Sequence, residues 1–523
     1  MGWCLPHTLL TRVYWMKLFR PNAAAVTATL VLATLAPQAA AVERVAVNHD
    51  YVKQIAAEVA KEPYEAPREQ VTSYFRKLGY DEYRRIQFIP DSSLWRGDSL
   101  PFQVQFFHPG YLFNQTIELH EFTPTHTQPI PFSVKFFNYQ ELKPSFWARR
   151  GLNYAGFRVI HELNQPGKWD EVISFLGASY FRALAQGQRY GISARGLALN
   201  SGGPAAEEFP SFIEFWLGKP DAAAKSLTIH ALLDSKSACG AYTFVVTPGG
   251  ETTIEVQASL FFRHAVEVPG LAPLTSMFWY GEASPHRYGD FRPEVHDSDG
   301  LLVAPDADTR LWRPLTNPTG VQRSDFAAPA LAGFGLLQRD RAPRSYEDLE
   351  ASYQLRPSVW VETIGRWPAG RVRLVELPTD NEFADNMVAF FIPDQPVAPG
   401  QSLELAWRLH WTNAPVFGGA PGWIRSTRRT IHDGAANRTR FVVDFEGLKP
   451  ELVPANAELS PDIVTAGPAK LEHVHVVRNE SDGSWRLVMA FSAAPDAPLT
   501  ELRARLKLGD KVVTETWAMA WKP

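Results

Sequence analysis

The chain has 523 residues, with 45% hydrophobic and 21% charged residues, 35 Gly and 41 Pro. That makeup excludes wholesale disorder and collagen-like structure, and at roughly 100–200 residues per domain the length implies about two to four domains. Lys and Arg number 52 against 56 Asp and Glu, a net charge of −4, so the basic excess of a nucleic-acid binder is missing. Aromatic residues make up 12%, including 16 Trp, a density that suits both all-β cores and sugar-binding clefts.

In chain order, the first predicted element is a secretory signal over 1–41. Lys17 and Arg20 form a short basic region, Ala23 to Ala36 an apolar run, and Ala39, Ala40 and Ala41 a small-residue cleavage site. The run is too short for an ordinary membrane span, which is the competing reading. No twin-Arg pair precedes it, so the general secretory route and a periplasmic destination are expected. Cleavage after Ala41 would remove Arg12, Lys17 and Arg20 and no acid, leaving 49 basic and 56 acidic residues. It would also leave Cys239 as the only thiol, so no internal disulfide can form and the core alone must stabilise the fold. No later segment approaches the roughly 18 apolar residues of a membrane span.

Two helices follow. Asp50 is a candidate cap for a helix with Val52, Ile55, Ala56 and Val59 on one face, stopped by Pro63. A second shows Val71, Tyr74, Phe75 and Leu78, with Gly79 as its C-terminal cap. From residue 85 the pattern becomes period two: Phe102, Val104 and Phe106 alternate with Gln103 and Gln105, and Thr252 to Phe262 follows the turn signal Pro248-Gly249-Gly250. Tyr180 to Ala185 and Arg344 to Tyr353 are short helix candidates. The chain therefore reads as all-β, of sandwich type, without a fixed-period repeat.

The proline-rich stretch from Pro393 to Gly400 is the predicted connector between a domain at 42–395 and a second at 401–523. In the latter, Leu502, Ala504, Leu506 and Leu508 alternate with charged residues, and Gly509-Asp510 forms a hairpin turn into Val512. Size and rhythm fit an immunoglobulin-like sandwich.

No cofactor and no metal is predicted. His473 and His475 share one strand face without a third ligand nearby in sequence and read as a surface pair. Phosphate-binding glycine loops are missing, Gly177 to Tyr180 is not a nucleophile elbow, and Cys239 reads as a buried structural thiol. Carboxylate chemistry or plain binding remains. The densest mixture of carboxylates, arginines and aromatics runs from 275 to 386, through Arg292 to Gly300, Trp312-Arg313-Pro314, Gly333 to Arg339, Tyr353 to Ser358, Trp360 and Val375 to Asn386.

With Tyr80 to Arg84, Ala178 to Arg182 and Gly191 to Ala198, these motifs resemble, in order and over nearly the whole mature chain, the OpgG/OpgD (MdoG/MdoD) family of periplasmic proteins that make osmoregulated periplasmic glucans. The type of signal is nearer the OpgG branch. The resemblance implies a large N-terminal, galactose mutarotase-like β-sandwich with a glucan cleft and a smaller immunoglobulin-like C-terminal sandwich. It implies linear β-1,2-glucan as substrate and partner, with inverting hydrolysis in some members and transglycosylation in others. It also puts a general acid at Asp385 and a base at Asp297.

Such an acid protonates the leaving oxygen while the base activates a water, the carboxyls standing about 6.5–9.5 Å apart. Phe383, Phe390 and nearby Trp residues are expected to desolvate the acid. Arg292, Arg313 and Arg356 would orient Asp297 or hold sugar hydroxyls. Trp312, Tyr353 and Trp360 divide between core packing and sugar stacking, and Asp380 and Glu382 are alternative carboxylates. Asp297 in Asp-Ser-Asp-Gly, and Asp385 before a strand, are ordinary turn residues on sequence alone. Three readings stay open: a glucan hydrolase or transglycosylase; a non-catalytic module that takes nascent glucan from a membrane glucosyltransferase; and a protein-only scaffold.

Overall fold

The computed structural model describes residues 46–67, 70–284, 289–414, 422–431, 437–454 and 456–523. The predicted signal at 1–41 and Tyr288 lie outside them. Among the described residues no helix is long and apolar enough to cross a membrane.

Strands dominate, as the alternation predicted. A ten-stranded sheet runs through Gln103–Phe107, Gly156–Gln165, Lys168–Leu176, Tyr180–Ala183, Ser193–Arg195, Pro269–Ser276, Met387–Pro393, Gly370–Glu376 and Gln322–Ala328, with Leu197–Leu199 beside Pro269–Ser276. A fifteen-stranded sheet carries Thr252–Phe262 at its centre, with the bounds read from the sequence. The two share one core in which Phe175 and Phe181 of the first meet Phe212, Phe215 and Phe244 of the second, with Phe175–Phe215 centroids 5.1 Å apart. Much of the aromatic content is therefore absorbed in packing.

The chain returns to this second sheet after the proline-rich connector. Ser402–Thr412 pairs with Thr252–Phe262 on one side and Ser358–Ile364 on the other. Beyond it, Trp423–Ile431, Arg438–Glu446, Trp485–Ser492 and Lys470–Arg478 make a separate four-stranded sheet. The predicted strand forms over Thr500–Leu508, and Gly509, with φ 59°, turns with Asp510 into Lys511–Val512. Thr516–Trp521 pairs antiparallel with Thr500–Leu508 and parallel with Leu311–Pro314, which ties the C-terminal strands into the fifteen-stranded sheet.

Local readings needed correction where short-range signals competed with tertiary pairing. The first helix spans His49–Val59, but Asn48 caps it by accepting from Tyr51 N at 2.9 Å, and Asp50 lies in the first turn. Gly79 does not end the second helix in a left-handed cap: Ser73–Arg76 is a single turn, and Gly79 (φ −71°) starts Tyr80–Tyr83, its N–H donating to Glu82 at 2.9 Å. Residues 180–183 form a strand, and 344–353 holds short 3₁₀ turns at either end rather than a helix. Cys239 is buried against Asp234, and burial pushes its thiol well up, as expected of a structural cysteine. His473 and His475 are exposed.

Candidate active site

Asp385 sits in the loop joining Gly370–Glu376 to Met387–Pro393, whose last pair is Glu376 with Met387. Asn386 fixes that loop. Buried, it accepts from Phe278 N at 2.9 Å, donates to Phe278 O and Leu377 O, and takes Leu377 N on its own carbonyl. The neighbouring Asp385 side chain, 35% exposed, lines an open cleft of about 430 Å³ with Phe107, Phe113, Glu171, Tyr180, Arg182 and Tyr190. Arg182 Nη2 donates to Asp385 Oδ2 at 3.4 Å and its Nε to Ser193 Oγ at 3.1 Å. Arg195 braces the Tyr180 ring from 4.5 Å.

Asp297 lies deeper, 6% exposed. Its N–H donates to Met277 O at 2.8 Å, and its neighbours are pinned: Ser298 bonds Ser276 at 2.7 Å, while buried His296 bridges Glu294 and Gln338 at 2.9 Å each. Arg356 Nη1 stands 3.3 Å from Asp297 Oδ1 as an ion contact not aligned for a hydrogen bond, and also donates to the Tyr190 carbonyl. Burial, opposed by Arg356 and reinforced by the Asp385 charge, pushes Asp297 up to about 6. The two aspartates thus share one electrostatic environment, linked through Arg182 and Arg356.

The other predicted ligand residues divide. Arg356 belongs to this group, and Tyr353 lies under it, ring centroid 5.0 Å from the guanidinium. The buried Tyr353 hydroxyl donates to Glu382. Glu382 is committed to Arg292, whose five N–H groups all go to carboxylates: Asp290 twice, Glu382 twice (2.7 and 3.2 Å) and Asp348 once at 2.8 Å. Burial alone would raise Glu382, but the Arg292 and Tyr353 hydrogen bonds outweigh it and hold it down. Arg292 thus has no donor left over and ties these loops together.

Three of the expected ligand residues lie in packed cores. Arg313 is 1% exposed and paired at 3.0 Å with the fully buried Glu376, away from the cleft. Trp312 packs in the core shared with the C-terminal strands, under the Arg339 guanidinium at 3.7 Å, and a Cβ on Gly300 would come within 2.1 Å of its ring. Trp360 belongs to the same core, over Gly333, where a Cβ would approach to 2.4 Å. None of the three can stack on a sugar without unpacking. The expected desolvation of Asp385 is also missing: Phe383 is 90% exposed, and Phe390 is sealed in a cluster with Val268 and Val388.

Arg182, Tyr180 and Tyr190 were not singled out as site residues. Tyr180 and Arg182 stand two apart on a strand and so share a face, a signal hidden by reading that stretch as helical. A second hollow of about 450 Å³, lined by Thr243, Glu255, Gln257, Arg366, Trp367 and Glu404 among others, contains none of the predicted residues.

The chain was compared with known proteins. The family model described as "Periplasmic glucan biosynthesis protein, MdoG" matches residues 47–521. The chain is 42% identical over 477 residues to glucans biosynthesis protein G of Ralstonia nicotianae, covering 90% of this chain and 94% of that protein. It is 42% identical over 472 residues to the protein of that name from Rhodopseudomonas palustris (90% and 92%) and 40% over 474 residues to that from Bradyrhizobium diazoefficiens (90% and 93%).

Proposed function

We propose a function on one premise: the chain belongs to the family of periplasmic glucan biosynthesis proteins described as MdoG, and so has a role in making periplasmic glucans. On that premise the cleft at Asp385 receives linear β-1,2-glucan, and the Asp385–Asp297 pair carries acid–base chemistry on it, by inverting hydrolysis or transglycosylation. The observation that carries this reading is the pair itself: one carboxyl lining the cleft, and a second, buried and raised to about 6, electrostatically coupled to it.

Asp297 suits the base. At neutral pH a group of pKa about 6 is mostly ionised, yet accepts a proton more readily than an ordinary carboxylate. Its depth means that it reaches an attacking water through a relay. Asp385, which lines the cleft, takes the acid's role toward the leaving oxygen. Tyr180, Tyr190, Phe107 and Phe113 supply faces for pyranose rings. The glucan module comprises the residues of both large sheets, through Thr412, and the strands beyond form an immunoglobulin-like module.

One observation favours the second reading, a module that binds nascent glucan from a membrane glucosyltransferase and presents it uncut. Arg182 Nη2 engages Asp385 Oδ2 at 3.4 Å and ties that carboxyl to the cleft wall, an arrangement that suits a group that only binds sugar hydroxyls. Incubating the purified chain with linear β-1,2-glucan separates the two. Shorter chains or new linkages, lost in Asp385→Asn, establish the enzyme. Intact glucan bound equally by both proteins leaves the presenting module.

A further inference from the structure

Away from the cleft, Glu118–Phe122 pairs in parallel with Ser211–Gly218, Glu214 standing opposite Glu118 and Trp216 opposite His120. In a strand, residues two apart share a face. Leu119, Phe215 and Leu217 enter the core, so Glu118, His120, Glu214 and Trp216 lie on the other face. There one ligand atom each from Glu118, His120 and Glu214 lies within 4.8 Å of the others. His120 Nε2 is closed to solvent and stands 2.8 Å from Glu214 Oε1, yet is not aligned for a hydrogen bond with it or any other group. The imidazole is held flat against Trp216, centroids 5.6 Å apart and planes within 17°.

Two carboxylates this close repel each other, and an imidazole nitrogen sealed from water without a hydrogen bond costs free energy. One divalent cation answers both: it neutralises the carboxylates and takes the ring lone pair. We propose that Glu118, His120 and Glu214 form a zinc-type divalent metal site that clamps the parallel strand pair. One nitrogen and two carboxylates suit Zn²⁺, with ligand distances of about 2.0–2.2 Å and a fourth position for water. Spacing along the chain could not have revealed the site, because the third ligand arrives from a distant strand.

The test is equilibrium dialysis of the chelator-treated full chain against Zn²⁺, beside His120→Asn and Glu214→Gln, with far-UV circular dichroism to confirm folding. Neither substitution changes side-chain size much, and both residues are partly exposed. The expected result is one Zn²⁺ per chain, with affinity falling at least about tenfold in either variant, and a Zn²⁺-dependent rise in the unfolding midpoint in the parent protein only. No retained Zn²⁺, equal retention by both variants, or loss only when His473 and His475 are replaced by Asn would overturn the proposal.

Discussion

Two pairs of arginines show how one side chain serves opposite ends in this molecule. Arg292 and Arg313 are buried beside carboxylates that claim them: Arg292 has spent all five donors, and Arg313 is sealed against Glu376. Arg182 lines the cleft and Arg356 stands beside Asp297, their side chains 45% and 19% exposed against 10% for Arg292 and 1% for Arg313. Arg182 makes one bond to Ser193 and a long one to Asp385, and Arg356 Nε is buried with no acceptor. On sequence alone Arg292, Arg313 and Arg356 stand together as candidates to orient Asp297 or hold sugar hydroxyls. Exposure, not the count of unmade bonds, separates the two pairs, since Arg313 Nε is also buried without an acceptor.

The comparison can be broken most decisively at the cleft. Asp385→Asn is expected to lower glucan turnover by about 10²–10⁴-fold while leaving the unfolding midpoint nearly unchanged, since the carboxyl is partly solvated. A large drop in stability instead would make Asp385 part of the scaffold. Glu376→Ala is expected to do the converse. Leaving Arg313 charged and unpaired in the core costs about 3–5 kcal/mol, measurable by urea unfolding, with glucan affinity unchanged in the fraction that remains folded.

Asp297 sharpens the contrast through pH. Its folded value of about 6 lies above the unfolded value of about 3.9. The folded chain therefore binds this proton more tightly, and the stability it contributes is present below about pH 4 and lost as pH rises to 6 and beyond. Asp297→Asn should stabilise the protein above pH 7 by up to about 3 kcal/mol and flatten urea midpoints between pH 4 and 7. Turnover by the parent protein should rise with pH through about 6 as the base ionises. The smallest effect belongs to Arg182→Gln, which removes a half-exposed ion pair. Stability should move by less than about 1 kcal/mol, and glucan affinity should fall.

Much of the scaffold could be read in advance because alternation is a local signal. Thr252–Phe262 and the Gly509-Asp510 turn announce themselves within a dozen residues. Tyr180–Ala183 did not, because its Ala- and Leu-rich continuation favours a helix until pairing with Ser193–Arg195 decides otherwise. Trp312 and Trp360 were ambiguous for a different reason. An indole in a strand looks the same whether it meets a sugar or a glycine, and the informative partners, Gly300 and Gly333, lie elsewhere in the chain. Asp385 and Asp297 were reached only through resemblance to a family, since each sits in an ordinary turn sequence.

The parallel pairing of Leu311–Pro314 with Thr516–Trp521 also bears on how the protein is made. Leu311 finds its partner Thr516 about two hundred residues downstream. Contacts of such sequence separation form slowly, because a long loop must close before they return any free energy. The fifteen-stranded sheet therefore stays open on one side until Thr516–Trp521 has been made. Until then Leu311–Pro314 is an unpaired strand edge beside Trp312, a surface that other chains can template on. A chain cut short by a dozen residues would keep that edge bare and should aggregate, although the cleft and both aspartates would be intact.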